Sequence, residues 1–358
     1  LLRFTFHKKE IDIQEQYKVE IEKYTAAIKE NPQDIKAYFN RGLVYTILKN
    51  YTLAIADYTQ VITLNPKDAD AYINRGLVYY TQGNYDLAIA DYNQAIKLNP
   101  QDAVPYNNRG NTYADLKKIS LAIADYTQAV KLDPQYATAY YNRGIAYRKQ
   151  KNDLLAIADY TQAIKLNPQY ITAYNVRGIS YYNQGNDTLA IKDYTQAIKL
   201  NPQYAEAYFN RGLIYTNKKN NDLAIEDYTK AIRFNPQLAD AYNNRGIAYR
   251  NKGKYTLAIA DYTQAIKLNP LNEKIYNNRG NVYRDQGNFP LAAADFTQAI
   301  NLNPQFTEAY FNRGLAYADN KDYKSARQDF EKTIDSDPTG TIGKDARDNL
   351  LKLRNFGY

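Results

Sequence analysis

An Asp-Pro or Asn-Pro pair recurs every 34 residues along this chain, placing Pro32, Pro66, Pro100, Pro134, Pro168, Pro202, Pro236, Pro270, Pro304 and Pro338 in one register without an insertion. Arg-Gly recurs at the same interval, from Arg41-Gly42 to Arg313-Gly314. At 358 residues the length alone would suggest two or three globular domains. A strict short period overrides that expectation. The chain has to be built of small, nearly identical modules, none able to bury a core alone and each completed by its neighbours.

Within the first module Tyr38, Gly42 and Tyr45 fall at i, i+4 and i+7, on one face of a helix. Ala54, Tyr58 and Val61 share that spacing and define a second helix. The polar turn Lys49-Asn50 separates them, and four other modules carry Gly there, at Gly83, Gly185, Gly253 and Gly287. The second helix stops at Asn65-Pro66, because a residue before proline is pushed out of the α region. Each module is therefore an antiparallel helix pair. Gly42 and Ala54 leave no bulk where the helices cross, and Tyr38, Tyr45 and Tyr58 are expected to fill the flanks. Trp is absent and Tyr outnumbers Phe by 38 to 11, so tyrosines must build the core. A buried ring contributes about 1.5–3 kcal/mol if its hydroxyl finds a partner.

The pattern Tyr38-x2-Arg41-Gly42-x2-Tyr45, then Ala54-x3-Tyr58, then Pro66, resembles the tetratricopeptide repeat, with Tyr for the usual Trp and Arg for the usual Leu. The resemblance covers about nine-tenths of the chain. It implies an all-α, right-handed superhelical solenoid of stacked antiparallel helix pairs, whose first helices line a concave groove that binds protein partners. The expected organisation is a degenerate N-terminal capping repeat at 1–34, nine repeats at 35–68, 69–102, 103–136, 137–170, 171–204, 205–238, 239–272, 273–306 and 307–340, and a C-terminal capping helix at 341–358. Residues 1–34 keep the register in Phe4, Ala27 and Pro32 but carry Lys8 and Glu20 in the Gly and Ala columns. The apolar opening Leu1, Leu2, Phe4 and Phe6 is expected to be covered by another chain. At the other end Ile342, Ala346, Leu350 and Leu353 trace a stripe at helical spacing, as a cap requires.

The turn aromatic of Tyr51, Tyr85, Tyr255, Phe289 and Tyr323 becomes Ile119, Asp153, Asp187 and Asn221 in repeats three to six. These repeats are expected to open most easily, and hydrogen exchange slowest there would refute it.

Every full repeat has Arg in the column of Arg41 and Asp in the column of Asp57, while the degenerate segment lacks both, with His7 and Lys23 instead. Joint presence and joint loss point to a structural salt-bridge ladder in preference to a ligand site. On the opposite side of the first helix lie Lys36, Phe39, Asn40, Leu43, Thr46 and Ile47, which are expected to face the groove. The Asn40 column reads Asn40, Asn74, Asn108, Asn142, Val176, Asn210, Asn244, Asn278 and Asn312. Asn is a mediocre helix former, so its recurrence calls for a role. The amides either hold an extended peptide backbone, as in some members of the family, or bond neighbouring repeats and water. Phe39, Tyr80, Tyr141, Tyr182, Phe209 and Phe311 offer stacking surfaces in the same groove, and Arg148, Arg250 and Arg284 add positive charge, so an acidic or aromatic peptide is the expected partner. The Phe39 column never holds Lys, which disfavours the family's two-carboxylate clamp for chaperone tails.

The net charge of +8 is spread along the repeats without a block of like charges, which disfavours nucleic acid as a partner. No apolar run is long enough for a membrane span. His7 is the lone histidine and Cys is absent, so neither a catalytic triad nor a zinc site can be assembled. No phosphate-binding glycine loop occurs, and no cofactor is expected. With no Met anywhere, position 1 included, the chain is expected to be processed, partial or engineered. The leading function is a non-catalytic interaction scaffold. The rival is a structural protomer that self-associates into a homo-oligomer or head-to-tail filament, suggested by near-identical units such as Leu-Ala-Ile-Ala-Asp-Tyr-Thr-Gln starting at Leu53, Leu121, Leu155 and Leu257.

Overall fold

The computed structural model describes residues 2–355, with side chains described for residues 14–353. These residues are helical apart from short turns. A long helix, α1 (Leu2–Glu30), comes first. The first helices of the repeats are α2 (Ile35–Ile47), α4 (Ala69–Thr81), α6 (Ala103–Asp115), α8 (Ala137–Lys149), α10 (Ile171–Asn183), α12 (Ala205–Asn217), α14 (Ala239–Asn251), α16 (Glu273–Asp285) and α18 (Thr307–Asp319). The second helices are α3 (Tyr51–Leu64), α5 (Tyr85–Leu98), α7 (Ile119–Leu132), α9 (Asp153–Leu166), α11 (Asp187–Leu200), α13 (Asn221–Phe234), α15 (Tyr255–Leu268), α17 (Phe289–Leu302) and α19 (Tyr323–Ser336). A final helix, α20 (Thr341–Asn355), follows. The chain divides into two compact units, residues 1–184 with α1 to α10 and residues 185–358 with α11 to α20. Within each unit consecutive helices pack on one another.

The punctuation of the sequence explains where helices begin and end. Asp34 and Asp68 accept a hydrogen bond from the backbone N–H three residues on, at 3.0 Å, and so cap α2 and α4. Later repeats replace that cap with Tyr136, Leu238 or Phe306, which pack into the core beside the helix start. Asn50, Asn152, Asn186, Asn220 and Asn288 cap second helices. Each first helix ends in a left-handed residue: Gly83, Gly185, Gly253 and Gly287 in four repeats, but Lys49, Lys117, Lys151, Lys219 and Lys321 in the others, with φ of 57–64°. Second helices end at the extended Asn65 and its equivalents, and the Asn65 side chain accepts from the Lys67 N–H to close the turn before the next repeat.

The core centres on the Tyr58 column. Tyr58, Tyr92, Tyr160, Tyr228 and Tyr262 are fully buried, as are Phe296 and Phe330. A Cβ on Gly42 would sit 2.9 Å from Cε1 of Tyr58, and one on Gly144 only 2.6 Å from Cε1 of Tyr160, so the backbone lies directly on the ring and no side chain fits. Val78 of the second repeat closes the cluster of Ala54 and Tyr58 in the first, which is how neighbours share a core.

Two expectations change here. Tyr38 and Tyr45 are half-buried, and the fully packed positions of α2 are Ala37, Gly42 and Val44. The helix is turned so that small residues meet the preceding repeat while the two tyrosines flank Arg41. Residues 2–30 form one helix where a degraded helix pair was expected. Glu15 and Gln16 stand where other repeats turn, and both are good helix formers, so nothing breaks the chain. The apolar residues Leu1, Leu2, Phe4 and Phe6 lie outside the described side chains. At the other end α20 buries Ala346 and Leu353 against Ala326 and Phe330. Where repeats four to six lose the turn aromatic, polar bonds join neighbouring repeats: Asn183 donates to Asp153, Lys218 pairs with Asp187 at 3.0 Å, and Asn251 donates to Asn221.

Candidate interaction surface

Arg41 is the most heavily used side chain of its repeat. Its Nε and Nη2 donate to the two carboxylate oxygens of Asp57, both at 2.8 Å, and its Nη1 donates to Thr25 of the preceding segment at 2.9 Å. The guanidinium lies over the rings of Tyr38 and Tyr45, 5.7 and 5.8 Å from their centroids. Ion pairs of 2.6–2.8 Å recur at Arg75–Asp91, Arg109–Asp125, Arg143–Asp159, Arg211–Asp227, Arg245–Asp261, Arg279–Asp295 and Arg313–Asp329. The link backward recurs as well, from Arg75 to Thr59, Arg143 to Thr127, Arg177 to Thr161 and Arg313 to Thr297. Hydrogen bonds donated to Asp57, Asp91, Asp125, Asp159 and Asp295 raise the pKa of their arginines above the ordinary value. With every polar atom of the guanidinium engaged and its faces covered, this column is structural, as its joint loss in the first segment suggests.

The asparagine column is largely occupied by the protein itself. Asn142 donates to Asn107 and Asn111 of the repeat before it, both at 3.0 Å. Asn278 donates to Asn243 and Asn312 to Asn277, again at 3.0 Å. The acceptors Asn107, Asn243 and Asn277 all stand in the Phe39 column of the preceding repeat. Where that column is Phe39 or Phe209, the following Asn74 or Asn244 turns back to the carbonyl of Asp70 or Asp240 in its own helix, at 2.8 Å. Behind Tyr141 the column switches to Val176, which packs with Ala156 and Tyr160. Asn40 and Asn210 are half-buried, and Asn108 accepts from Asn107 at 3.4 Å.

The aromatic residues lean on the core. Phe39, Tyr141, Phe209 and Phe311 each sit 5.8–6.0 Å from the buried ring of their own repeat. Tyr141 also stacks on Tyr170 at 4.8 Å, and burial pushes the Tyr170 hydroxyl up to about 12. Tyr182 and Arg148 are half-buried. Tyr80 donates to Asp115 at 2.6 Å and Arg250 donates to Asp285 at 2.7 Å, one repeat further on in each case. Arg250 therefore brings no free charge, whereas Arg284 has a buried Nη1 without a hydrogen-bond partner.

A concavity on the first-helix face lies in the first unit. It has a volume of about 160 Å³ and is lined by Tyr80, Asn111, Asp115, Asn142, Ile145 and Lys149, among others. Asn111 accepts from Tyr126 and Asn142, which leaves its amide hydrogens unused among the described residues. Lys149 is exposed and forms no ion pair among the described residues. Tyr80 and Asn142 were singled out by the sequence; Asn111, Asp115 and Lys149 were not. Asn111 was detectable as one of two asparagines in an otherwise Leu/Ile column.

Family models described as Tetratricopeptide repeat match residues 69–102, 137–170, 205–238 and 239–272, and further ones match 277–341 and 91–124. A model described as TPR repeat matches 42–83, 110–151 and 178–219. No curated protein matches the chain. Among solved structures, the APC/C hetero-tetramer Cut9-Hcn1 aligns with 82% of this chain at 20% identity and a TM-score of 0.55, and the alignment spans 58% of that chain's length. The C-terminal part of a TPR repeat-containing protein from Cytophaga hutchinsonii aligns over 66% of this chain and 97% of its own, at 19% identity and 0.55. A tetratricopeptide repeat protein from Parabacteroides merdae aligns over 69% and 98%, at 21% identity and 0.52. These likenesses concern the fold.

Proposed function

Because the chain belongs to the tetratricopeptide-repeat family of protein-interaction scaffolds, we propose that it binds an extended segment of a partner polypeptide along its first-helix face, without catalysis. The observation that carries this reading is the concavity of α4, α6 and α8, where the Asn111 amide and the Lys149 ammonium stand unused above the apolar floor of Ala114 and Ile145. An amide and a cation on such a floor suit a peptide carbonyl and an acidic side chain. The self-bonded asparagines shift the contact from the Asn40 column itself to the groups beside it. No described helix is long and apolar enough to cross a membrane.

The test is selection from a random peptide library on the intact chain, followed by titration of the selected peptides against Asn111→Leu and Lys149→Ala. One or two lost polar contacts of about 1.5 kcal/mol each predict roughly tenfold to hundredfold weaker binding. A library that yields no peptide, or peptides indifferent to both substitutions, overturns the reading. Self-association is favoured by one feature: Leu53, Leu87, Leu121 and Leu155 of the first unit are 42–50% exposed at the same place in successive second helices. Sedimentation at micromolar concentration that shows a monomer removes it.

A further inference from the structure

We propose that the junction of α17 and α18 is a second, separate binding site, shaped for a neutral aromatic side chain with a hydrogen-bonding tip, a tyrosine or tryptophan presented by a partner polypeptide. The signal begins in the sequence. In the column of Ile55 the residue is Ile in seven repeats, at Ile55, Ile89, Ile123, Ile157, Ile191, Ile225 and Ile259, but the eighth repeat has Ala293. Elsewhere that isoleucine packs with the turn aromatic against the core: Ile55 with Tyr51 beside Ala54 and Tyr58, and Ile259 with Tyr255 beside Ala258 and Tyr262. In the eighth repeat the core of Ala292, Phe296 and Ala316 has Tyr283 beside it, and neither Phe289 nor Ala293 joins it. The ninth repeat carries Arg327 in this column, so the eighth is the one repeat in which a bare methyl group stands there.

Beside Ala293 lies a concavity of about 530 Å³, lined by Phe289, Pro290, Ala293, Thr297, Tyr317 and Asn320 together with Ala294. That volume falls in the range of about 300–1,000 Å³ typical of ligand sites. Its walls are fixed in advance. The Tyr317 ring lies 5.8 Å from the Arg313 guanidinium, which Asp329 and Thr297 hold in place, and Thr297 in turn donates to the Ala293 carbonyl at 2.7 Å. Pro290 in the first turn of α17 has a fixed φ and stiffens the rim.

The lining selects the occupant. None of the seven residues carries a charge, and Arg313 beside the Tyr317 ring is committed to Asp329 at 2.8 Å, so a charged group finds no counter-charge in the lining. Two aromatic rings and three apolar residues suit a flat ring. The Asn320 amide and the Tyr317 hydroxyl make no hydrogen bond among the described residues, which leaves a donor and an acceptor for a phenol or an indole N–H. Pro290 and Ala294 are exposed, so the site opens along the surface, where a side chain from a passing chain can enter.

The chain contains no Trp, so the indole of a probe excited at 295 nm is seen without background. Titration of N-acetyl-tryptophanamide with the intact protein should give a saturable blue shift, and Gly-Gly-Trp-Gly-Gly should bind at least as tightly. Ala293→Ile, which restores the residue of seven other repeats, should weaken both at least tenfold while the far-UV circular dichroism and melting temperature hold or rise. Asn320→Ala should weaken the tryptophan probe more than N-acetyl-phenylalaninamide. Asn111→Leu should change none of these values, which separates this site from the first-helix face. No saturable shift, or binding unaltered by Ala293→Ile, overturns the site; exclusion of the pentapeptide overturns the polypeptide occupant.

Discussion

Replacing Arg211 by Met tests whether the charged ladder holds the repeats together or merely decorates them. Asp227 is 3% exposed, and Arg211 gives it two hydrogen bonds of 2.8 Å. The substitution also removes the link to Thr195 and the contacts with the Tyr208 and Tyr215 rings at 5.8 and 6.0 Å. A buried carboxylate left alone costs about 3–5 kcal/mol, which should appear as a lower urea midpoint by far-UV circular dichroism at pH 7. Burial already pushes the Asp227 carboxyl above the ordinary range against the downward pull of Arg211, and removing the arginine pushes it further. An acid whose folded pKa exceeds its unfolded one stabilises the fold only while both states are protonated, and loses that contribution as pH rises through the folded value. The variant's deficit should therefore be largest at pH 7 and shrink toward pH 5. Arg211→Met combined with Asp227→Leu leaves no buried charge and should fall within about 1.5 kcal/mol of the parent. If the double variant loses as much as the single one, or the deficit ignores pH, the account of the ladder is wrong.

The left-handed lysines invite the opposite change. Lys49, Lys117, Lys151, Lys219 and Lys321 each occupy a conformation that costs a residue with a Cβ about 1–2 kcal/mol, part of which glycine returns through its unfolded-state entropy. Each Lys→Gly should gain about 0.5 kcal/mol by thermal melting, and Gly83→Lys should lose as much. Tyr92 and Tyr262 have buried hydroxyls without a partner, whereas the Tyr58 hydroxyl meets Thr46 at 3.2 Å and that of Tyr126 donates to Asn111 at 2.8 Å. Tyr→Phe at 92 and 262 should be neutral or stabilising, and at 58 and 126 should cost about 1 kcal/mol by urea titration. Burial raises the hydroxyl pKa of Tyr92, Tyr126 and Tyr262, so their stabilising contribution is intact below pH 10 and lost as pH climbs toward the folded values. Absorbance at 295 nm should show these rings silent until the chain unfolds in alkali.

The helix pairs, their boundaries and the Tyr58 column were legible because a 34-residue period and its prolines leave little freedom. Tyr38 and Tyr45 were misplaced for a definite reason. A helical stripe gives a direction but not its centre, and Arg41 between two tyrosines reads as the edge of a core when it is the middle of a cation–aromatic stack. The true contact residues, Ala37 and Val44, are small, and the Val44 column includes buried Thr112 and Ser180, so no hydrophobic pattern marks it. The partners of the asparagines lie 31 or 35 residues away in a neighbouring repeat, a relation that appears only when helices are stacked. Both concavities are lined by a residue that departs from its column, Asn111 and Ala293, and each column departs twice, at Asn281 and Arg327 as well, so sequence alone does not tell which departure marks a concavity.

The ladder arginines with a described ion pair, Arg41 to Arg143 and Arg211 to Arg313, keep their counter-ion inside their own thirty-four residues, and Arg41 and Arg109 borrow only an uncharged hydroxyl or amide from the repeat before. Duplicating or deleting one whole block therefore strands no ion in the interior, while a cut through the middle of a block separates the two halves of a pair. The electrostatics thus permit such an array to lengthen or shorten in whole blocks, and a recombination event inside a block would be the kind the fold rejects.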